Sequence, residues 1–160
     1  PLELSSAASD VYKRQDAAIL RLVQNDATLS LDDIGSAVGA SKTPVWNRLK
    51  RLKEEGIIRR EVAILDPDKI GLEACFFVLV KTSEHDGDWQ ARFLSALKER
   101  TEVIEAHRLA GEIDYLLKVQ VPNPRAYDRF YQSLIAKVKV FNVTALLSME
   151  ELKYTTALPL

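Results

Sequence analysis

The sequence predicts an α+β protein with an N-terminal winged helix-turn-helix followed by a ferredoxin-like β-α-β-β-α-β domain. Three observations lead to this fold class. Apolar residues recur at helical spacing through the first third of the chain, and a short glycine-containing turn separates the second and third of these helices. Strand-like and helical segments then alternate. The 160 residues suffice for one domain or two small ones.

The helix-turn-helix is predicted from its end signals. The first helix begins at Asp16. The second begins after Ser30, a favourable N-cap, and ends at Gly39, a residue type that terminates helices. The third begins with Thr43 as N-cap and Pro44 as its first residue, since proline is tolerated there. Three short helices with one tight turn are typical of this motif.

The remaining boundaries follow from composition. Residues 1–15 show no apolar period and are predicted to be a disordered tail, a truncated start or a cloning remnant. The winged helix-turn-helix is assigned to 16–60. A strand and linker are assigned to 61–72, because the β-branched segment 57–65 predicts a strand in the wing position before a turn.

Residues 73–160 are predicted to form the ferredoxin-like domain. The predicted strands are Glu73–Thr82, Val103–Leu109, Tyr115–Val121 and Val143–Lys153, and the predicted helices begin at Asp88 and Asn123. The first of these strands is apolar on both faces, so a second layer is expected on each side of it.

Composition excludes several classes of protein. Apolar residues make up 47% and charged residues 28%, which is typical of globular proteins. With one cysteine and two histidines, neither a disulfide framework nor a multi-residue metal site is expected, and no cofactor is expected. No apolar run approaches the roughly 20 residues that span a bilayer. The sequence therefore predicts a soluble cytoplasmic protein without a membrane partner.

Positive charge is concentrated around the third helix. The net charge of the chain is −1, but the segment from Lys42 to Arg60 has seven basic residues against Glu54 and Glu55. Side chains on the outer face of this helix suit the major groove, because asparagine pairs with adenine, and arginine or lysine with guanine or phosphate. The candidate DNA contacts are Lys42, Thr43, Trp46, Asn47, Arg48, Lys50, Arg51, Arg59 and Arg60.

Each candidate has a second interpretation. The basic face can simply be solvated, and Trp46 can pack between helices instead of touching DNA. Arg59 and Arg60 can contact phosphates from the wing or form a solvated strand face. The position of the basic face on the last helix of a helix-turn-helix favours double-stranded DNA as partner, and a dimer would bind a pseudo-palindromic operator.

Four collinear motifs resemble the leucine-responsive and asparagine-responsive (Lrp/AsnC) transcription regulators. The segments Ser41–Trp46, Arg48–Leu52 and Glu55–Ile58 resemble their recognition helix, Leu65–Gly71 resembles their interdomain turn, and Gly111–Val119 and Met149–Lys153 resemble their effector-binding domain. The resemblance covers about residues 16–160 and supports the predicted fold.

The resemblance also implies an assembly and a ligand. It implies homodimers formed by packing two C-terminal sheets face to face, often assembled into octamers, and an amino-acid effector bound between dimers near a Gly-x-x-Asp turn. By position, the effector residues would be Ala110, Gly111, Glu112 and Asp114, with Leu147 and Ser148 nearby. Asp114 has the alternative role of an Asx-type residue that stabilises the hairpin.

The expected function is a sequence-specific DNA-binding transcription regulator modulated by a small ligand, and not an enzyme. Two alternatives stay open. Some proteins of the same two-domain layout decarboxylate sirohaem-type tetrapyrroles, which needs histidine and basic groups lining a large pocket. His107 and Arg108 are candidates but point to opposite faces of one strand, and Lys118 faces out on its neighbour. The other alternative is a scaffold whose helix-turn-helix contacts proteins only.

Overall fold

The computed structural model describes residues 6–83 and 86–160, with side chains from residue 13 onward. The chain divides into two compact units. Among the described residues, the first contains those up to Ala63 together with Lys153–Leu160, and the second contains those of Ile64–Leu152. In the described residues, the first unit is helical and the second combines a four-stranded sheet with two α-helices.

The described part of the first unit has three helices: α1 (Ser6–Val23), α2 (Leu31–Val38) and α3 (Lys42–Glu54). The Ser30 hydroxyl accepts from the backbone N–H of Asp33 at 3.1 Å, and the Asp33 carboxylate accepts from the Ser30 backbone N–H at 3.4 Å. This reciprocal capping box satisfies two donors that the helix itself leaves unpaired.

The start of α1 corrects one prediction. The helix begins at Ser6, so the assignment of a disordered tail is wrong for residues 6–15, while residues 1–5 lie outside the described part. Residues 6–15 lack an apolar period, but they contain no glycine or proline. Extension of an existing helix adds one hydrogen bond per residue, so a helix anchored by the packed Asp16–Val23 segment continues through it.

The turn between α2 and α3 depends on close approach at Gly35. Gly39 ends α2 in the left-handed region with φ of 68°. The backbone N–H of Ala40 then donates to the Gly35 carbonyl at 2.9 Å. A Cβ atom added to Gly35 would lie 2.5 Å from the Ala40 carbonyl oxygen, which is inside van der Waals contact. This turn allows Ile19, Ile34 and Val45 to form the small core of the unit.

The expected wing strand is absent from the described chain. Residues 57–65 have no strand assignment, so the prediction of a strand there is wrong. Ile57, Val62 and Ile64 are each more than half exposed. β-branched composition favours an extended backbone, but a strand is stabilised by its hydrogen-bonded neighbour, and no strand pairs with this segment in the described residues.

The second unit confirms the predicted ferredoxin-like order. Its elements are β1 (Ala74–Lys81), α4 (Gly87–Lys98), β2 (Val103–Arg108), β3 (Tyr115–Val121), α5 (Pro124–Ile135) and β4 (Asn142–Leu147), after a short 3-10 helix at Asp68–Ile70. Among the described residues the sheet has the order β2-β3-β1-β4, and every neighbouring pair is antiparallel. The strand β1 therefore lies between the hairpin β2–β3 and the last strand.

Both helices cover one face of this sheet. Alternate residues of β1 and β3, including Val78 and its register partner Leu117, are buried in a core with Trp89 and Phe93 of α4 and Phe130 of α5. The period of two along each strand sends the intervening side chains to the other face. Both α-helices of the second unit lie on the first face, so within the described residues of this unit the expectation that both faces are covered is not met.

Three element ends differ from the predictions. The N-cap of α4 is Asp86 instead of Asp88, and its carboxylate accepts from the backbone N–H of Trp89 at 2.6 Å. The N-cap position of α3 is Ser41, two residues before the predicted Thr43. The strand β4 ends at Leu147, whereas the prediction extended it to Lys153.

By its contacts, the segment of the last eight residues, Lys153–Leu160, groups with the helical unit. The side-chain amide of Gln24 donates to the carbonyl of Leu158 at 3.0 Å and accepts from its N–H at 2.8 Å. The Nε atom of Arg21 donates to the carbonyl of Leu160 at 2.9 Å. Polar side chains of α1 and of the turn that follows it, Arg21 and Gln24, are thus the hydrogen-bond partners of this segment.

Replacement of Gly35 by alanine tests the close approach at the turn. Alanine favours helices over glycine by about 0.5–1 kcal/mol, but the contact with the Ala40 carbonyl opposes it. We expect Gly35→Ala to lower the free energy of unfolding by about 1–3 kcal/mol, as overpacking does. Urea unfolding followed by circular dichroism measures the change. In Gly87→Ala, the control, the new Cβ meets nothing within 4 Å. Equal stability of both variants would contradict the role of Gly35.

Candidate nucleic-acid interface and effector-binding hairpin

The helix α3 is buried along one side only. Val45 and Leu52 are fully buried, and Leu49 is partly buried. Thr43, Asn47 and Lys50 are exposed on the opposite side, as the helical spacing predicts. Trp46 is 50% exposed, and the ammonium group of Lys50 lies 5.3 Å from the centre of its ring, within cation–π range.

The lysines of α3 are paired with carboxylates in the folded unit. Lys42 lies 3.6 Å from Asp32 of α2, Lys50 lies 3.9 Å from Glu54, and Lys53 lies 2.8 Å from Glu61. Every side chain in these pairs is about half exposed or more, and such exposed pairs contribute little to stability. DNA phosphates can therefore replace these carboxylates at small cost.

The two arginines of α3 share one carboxylate of α1. Arg48 donates from Nη1 to Oδ1 of Asp16 at 3.1 Å and from Nη2 to the side-chain oxygen of Gln15 at 2.6 Å. Arg51 donates from Nη2 to Oδ2 of Asp16, and its Nη1 lies 3.5 Å from the carboxylate of Glu55. The hydrogen bond to Asp16 raises the pKa of the Arg51 guanidinium.

Burial separates these two arginines. The side chain of Arg48 is 13% exposed and that of Asp16 is 15% exposed, whereas Arg51 is 43% exposed. The sequence predicts that Arg48 contacts DNA, and this stays a prediction. Most of its side chain is buried against Asp16 and Gln15 of α1, and the remainder lines the surface of α3 beside Asn47 and Arg51. Asp16 was not predicted as a site residue, because it lies 32 and 35 residues from its partners and no local spacing connects them.

Polar and basic side chains surround a shallow depression on α3, which is lined by Pro44, Asn47, Arg48 and Arg51. Arg59 and Arg60 follow the helix and are exposed. Within the described chain, neither forms an ion pair with an acid. Amide and guanidinium groups together at one surface can form bidentate hydrogen bonds with base edges.

In the second unit, Asp114 stabilises the β2–β3 hairpin. Its Oδ2 atom accepts from the backbone N–H of Thr82 at 2.8 Å. Its own backbone N–H donates to the carbonyl of Val80 at 3.1 Å, and its carbonyl accepts from the N–H of Leu109 at 2.8 Å. Glu112 is exposed and lies 3.7 Å from Lys81. The carboxylate of Asp114 therefore ties the turn to the end of β1.

One chain does not bring the predicted effector residues together. The N–H of Asp114 donates to the carbonyl of Val80 at the C-terminal end of β1, whereas the N–H of Ser148 donates to the carbonyl of Cys75 near its N-terminal end. Five residues of strand separate these points, or about 17 Å. Leu147 pairs with Phe76 and also lies at the far end. Within a single chain Leu147 and Ser148 therefore lie far from the turn, and their part in a site between dimers stays a prediction.

The uncovered face of the sheet has an apolar centre. Phe77 and Leu79 of β1, Leu116 of β3 and Leu146 of β4 lie on this face by register. We call these four residues the open-face patch. Cys75 lies on the same face, and burial raises the pKa of its thiol. An antiparallel sheet with apolar side chains on its uncovered face needs a second layer.

His107 and Arg108, considered above for tetrapyrrole chemistry, do not share a pocket. His107 pairs in register with Leu116 on the open face, and Arg108 pairs with Tyr115, a core residue of the helix-covered face. His107 lies 3.3 Å from Glu105, which lies 3.7 Å from Lys118. In the described residues, no group of three histidine, cysteine or acidic side chains could hold a metal ion.

None of the described helices combines the length and apolar character needed to cross a membrane.

Both units match known family models. Residues 13–59 match a winged helix-turn-helix DNA-binding model, and residues 75–158 match the Lrp/AsnC ligand binding domain. The chain belongs to the Lrp/AsnC family. This member of the Lrp/AsnC family is accordingly a DNA-binding transcription regulator, which confirms the resemblance and the fold class that the sequence predicted.

Relatives and solved structures agree with this assignment. The chain is 47% identical to the DNA-binding transcriptional activator DecR of Escherichia coli K12, over 91% of this chain and 96% of that protein. It is 46% identical to the glutamate uptake regulatory protein of Zymomonas mobilis, over 91% and 88%.

Two crystal structures of transcriptional regulators have the same fold over 91% of this chain and 95% of theirs, each with a TM-score of 0.87. One is an AsnC family regulator from Agrobacterium tumefaciens that is 44% identical, and the other is a Neisseria meningitidis regulator in complex with L-Met that is 28% identical. These relatives are regulators, which favours regulation over the decarboxylase alternative.

Proposed function

We propose that this protein regulates transcription in the cytoplasm by inserting the exposed side of α3 into the major groove of an operator, and that an amino-acid effector changes its DNA binding or assembly. The observation that carries the proposal is the one-sided burial of α3. Val45 and Leu52 face the core, so Asn47 and Lys50 are presented outward on a helix that the DNA-binding model matches.

The proposed contacts divide by chemistry. The amide of Asn47 and the guanidinium of Arg51 suit base edges, because each can form two hydrogen bonds to adenine or guanine. Phosphate contacts are assigned to the remaining exposed groups, which are Lys42, Thr43, Trp46, Lys50, Arg59 and Arg60. Arg48 is assigned a supporting role, because its guanidinium is occupied by Asp16 and Gln15.

Alanine at Asn47 tests the base contact. We expect Asn47→Ala to weaken binding to a specific duplex by about 1–3 kcal/mol and to leave binding to a shuffled duplex unchanged. The specific duplex is one that the wild-type protein enriches from a random-sequence pool, and fluorescence anisotropy measures the affinity at about 50 and 200 mM salt. The control is Asn142→Ala, which changes an exposed asparagine of β4. Wild-type affinity of the Asn47→Ala protein would refute this contact.

A second copy of this chain is proposed to cover the open-face patch. Packing two sheets face to face would bury Phe77 and Leu79, and larger assemblies such as octamers would be built from these dimers. A two-fold dimer presents two α3 helices, so the operator is proposed to be pseudo-palindromic.

A charge in the open-face patch tests this assembly. We expect Phe77→Glu to convert the dimer to a monomer, because the glutamate can be hydrated on a single chain but not between two sheets. Light scattering after gel filtration measures the mass. Leu94→Glu is the control, since Leu94 is exposed on α4, outside the patch. A dimeric Phe77→Glu protein would show that the interface lies elsewhere.

The effector is proposed to bind at the β2–β3 turn. Ala110, Gly111 and Glu112 are exposed there, and a carboxylate such as Glu112 or Asp114 can hold an ammonium group while backbone N–H groups hold a carboxylate. Leu147 and Ser148 lie too far away in the same chain, so they would join the site from another chain. The L-Met complex of the 28% identical regulator supports an amino acid as ligand.

The two functions of Asp114 can be separated by two variants. Asparagine retains an oxygen for the N–H of Thr82 but lacks the charge, whereas alanine lacks both. We expect Asp114→Asn to keep the wild-type melting temperature and to lose the stabilisation by amino acids, and Asp114→Ala to melt lower. An effector at 100 times its Kd stabilises the wild type by about 2.7 kcal/mol.

Thermal shift with L-methionine, and with each other amino acid separately, measures the response. The control is Asp128→Asn, which removes an exposed charge from α5. A full ligand response from Asp114→Asn would eliminate the charge of Asp114 from the site.

A further inference from the structure

Asp16 lies on α1, yet both of its carboxylate oxygens are directed to α3. Its Oδ1 atom accepts from Arg48 and its Oδ2 atom accepts from Arg51. The Asp16 side chain is 15% exposed, and its two contacts connect α1 with two successive turns of α3. Two guanidinium groups that would repel each other are thereby held on the same side of one helix.

We infer that Asp16 is a positioning residue for DNA recognition: it retains Arg48 as an internal support and fixes the guanidinium of Arg51 in the orientation from which it meets a base. The inference rests on the proposed use of the exposed side of α3. It assigns Asp16, which the sequence did not single out, a part in operator specificity.

Burial makes the contact of Arg48 with Asp16 difficult to exchange. Arg48 is 13% exposed and also donates to Gln15, so most of its guanidinium is withdrawn from water. Breaking a shielded ion pair leaves an uncompensated charge, which is strongly unfavourable. A phosphate at the surface would leave the Asp16 carboxylate with only its contact to the more exposed Arg51. Arg48 therefore stays with Asp16 when DNA binds.

Arg51 has a different balance of contacts. Asp16 engages its Nη2 atom through a short hydrogen bond, whereas Glu55 lies 3.5 Å from Nη1 and is itself about half exposed. A guanidinium has five N–H donors, so most remain for a base after the contact with Asp16. DNA can therefore displace Glu55 from Nη1 while the hydrogen bond between Asp16 and Nη2 is retained.

The physical benefit is preorganisation. An arginine that is free to rotate loses rotamer entropy when it docks on a base, and a partner that already restricts it reduces that loss. The same carboxylate subtracts one positive charge from the surface and so weakens sequence-independent attraction to phosphates. Asp16 thus strengthens binding to a specific sequence and weakens binding that is independent of sequence.

This opposition distinguishes positioning from a merely structural role. The experiment uses the full chain, the specific duplex enriched by the wild type and a shuffled duplex of equal length. We expect Asp16→Asn to bind the specific duplex about 5- to 30-fold more weakly, within the range of a lost base contact. We expect it to bind the shuffled duplex about 2-fold more tightly, so that the ratio of the two affinities falls at least 10-fold.

Asp32→Asn is the matched control. It removes the same charge from the partner of an α3 cation, Lys42, and both side chains of that pair are well exposed. We expect this variant to bind both duplexes somewhat more tightly and to keep the ratio. An Asp16→Asn protein that behaves in the same way would overturn the inference.

A double-mutant cycle with Arg51→Lys adds a second readout. Lysine keeps the charge but lacks the planar fork, and it leaves the pair between Asp16 and Arg48 intact. We expect Arg51→Lys alone to lower the ratio of specific to non-specific affinity as Asp16→Asn does. We expect the ratio of the double variant to be no lower than that of either single variant. Additive losses would overturn the inference. If circular dichroism shows that Asp16→Asn is unfolded, Arg51→Lys decides, and a retained ratio overturns the inference.

Asn47→Ala separates the inference from the proposed function. If the affinity ratio falls in Asn47→Ala but stays at the wild-type value in Asp16→Asn, α3 contacts bases but Asp16 does not position Arg51. If Asn47→Ala, Arg51→Lys and Asp16→Asn all keep the ratio, the proposed contacts of α3 and the inference fail together.

Discussion

Burial of Val45 against Ile19 and Ile34 fixes the rotation of α3 about its axis, and the DNA-binding surface depends on that rotation. An amphipathic helix has one orientation in which its apolar stripe is buried, and this orientation exposes the side chains of the opposite face to solvent. The approach of α3 to α2 in turn needs Gly35, because a side chain there would collide with the carbonyl of Ala40. A backbone contact thus controls which polar groups face outward.

The basic residues of α3 and its surroundings differ in how firmly acidic partners hold them. Counted along the sequence, the region is strongly positive, but Asp16, Asp32 and Glu61 approach from other parts of the unit and offset much of that charge. The exposed pairs are weak and exchangeable, whereas the pair between Asp16 and Arg48 is shielded from water. A neutral protein can in this way present an exchangeable cationic surface while keeping one arginine as a support.

In the second unit, the two faces of the sheet also differ in how far they are buried. One face of the sheet is closed by α4 and α5, and the other presents Phe77 and Leu79. The hairpin turn carries exposed groups that suit an amino acid, but Ser148 lies at the other end of β1. In the proposed effector site Ser148 would therefore come from a second chain, so ligand binding would depend on assembly.

Local sequence determined the helix-turn-helix, the order of the ferredoxin-like elements and the outward set on α3, because caps at Ser30 and Asn123 and apolar periods of 3.6 and 2 depend on near neighbours. Only the tertiary structure decided which charges meet when they lie far apart in the sequence. The pairing of Asp16 with Arg48 and Arg51, and the distance between Asp114 and Ser148, join residues more than 30 positions apart. Strand formation at 57–65 also depended on a partner, which composition cannot provide. Periodicity reports the environment of a residue, but only packing determines its partner.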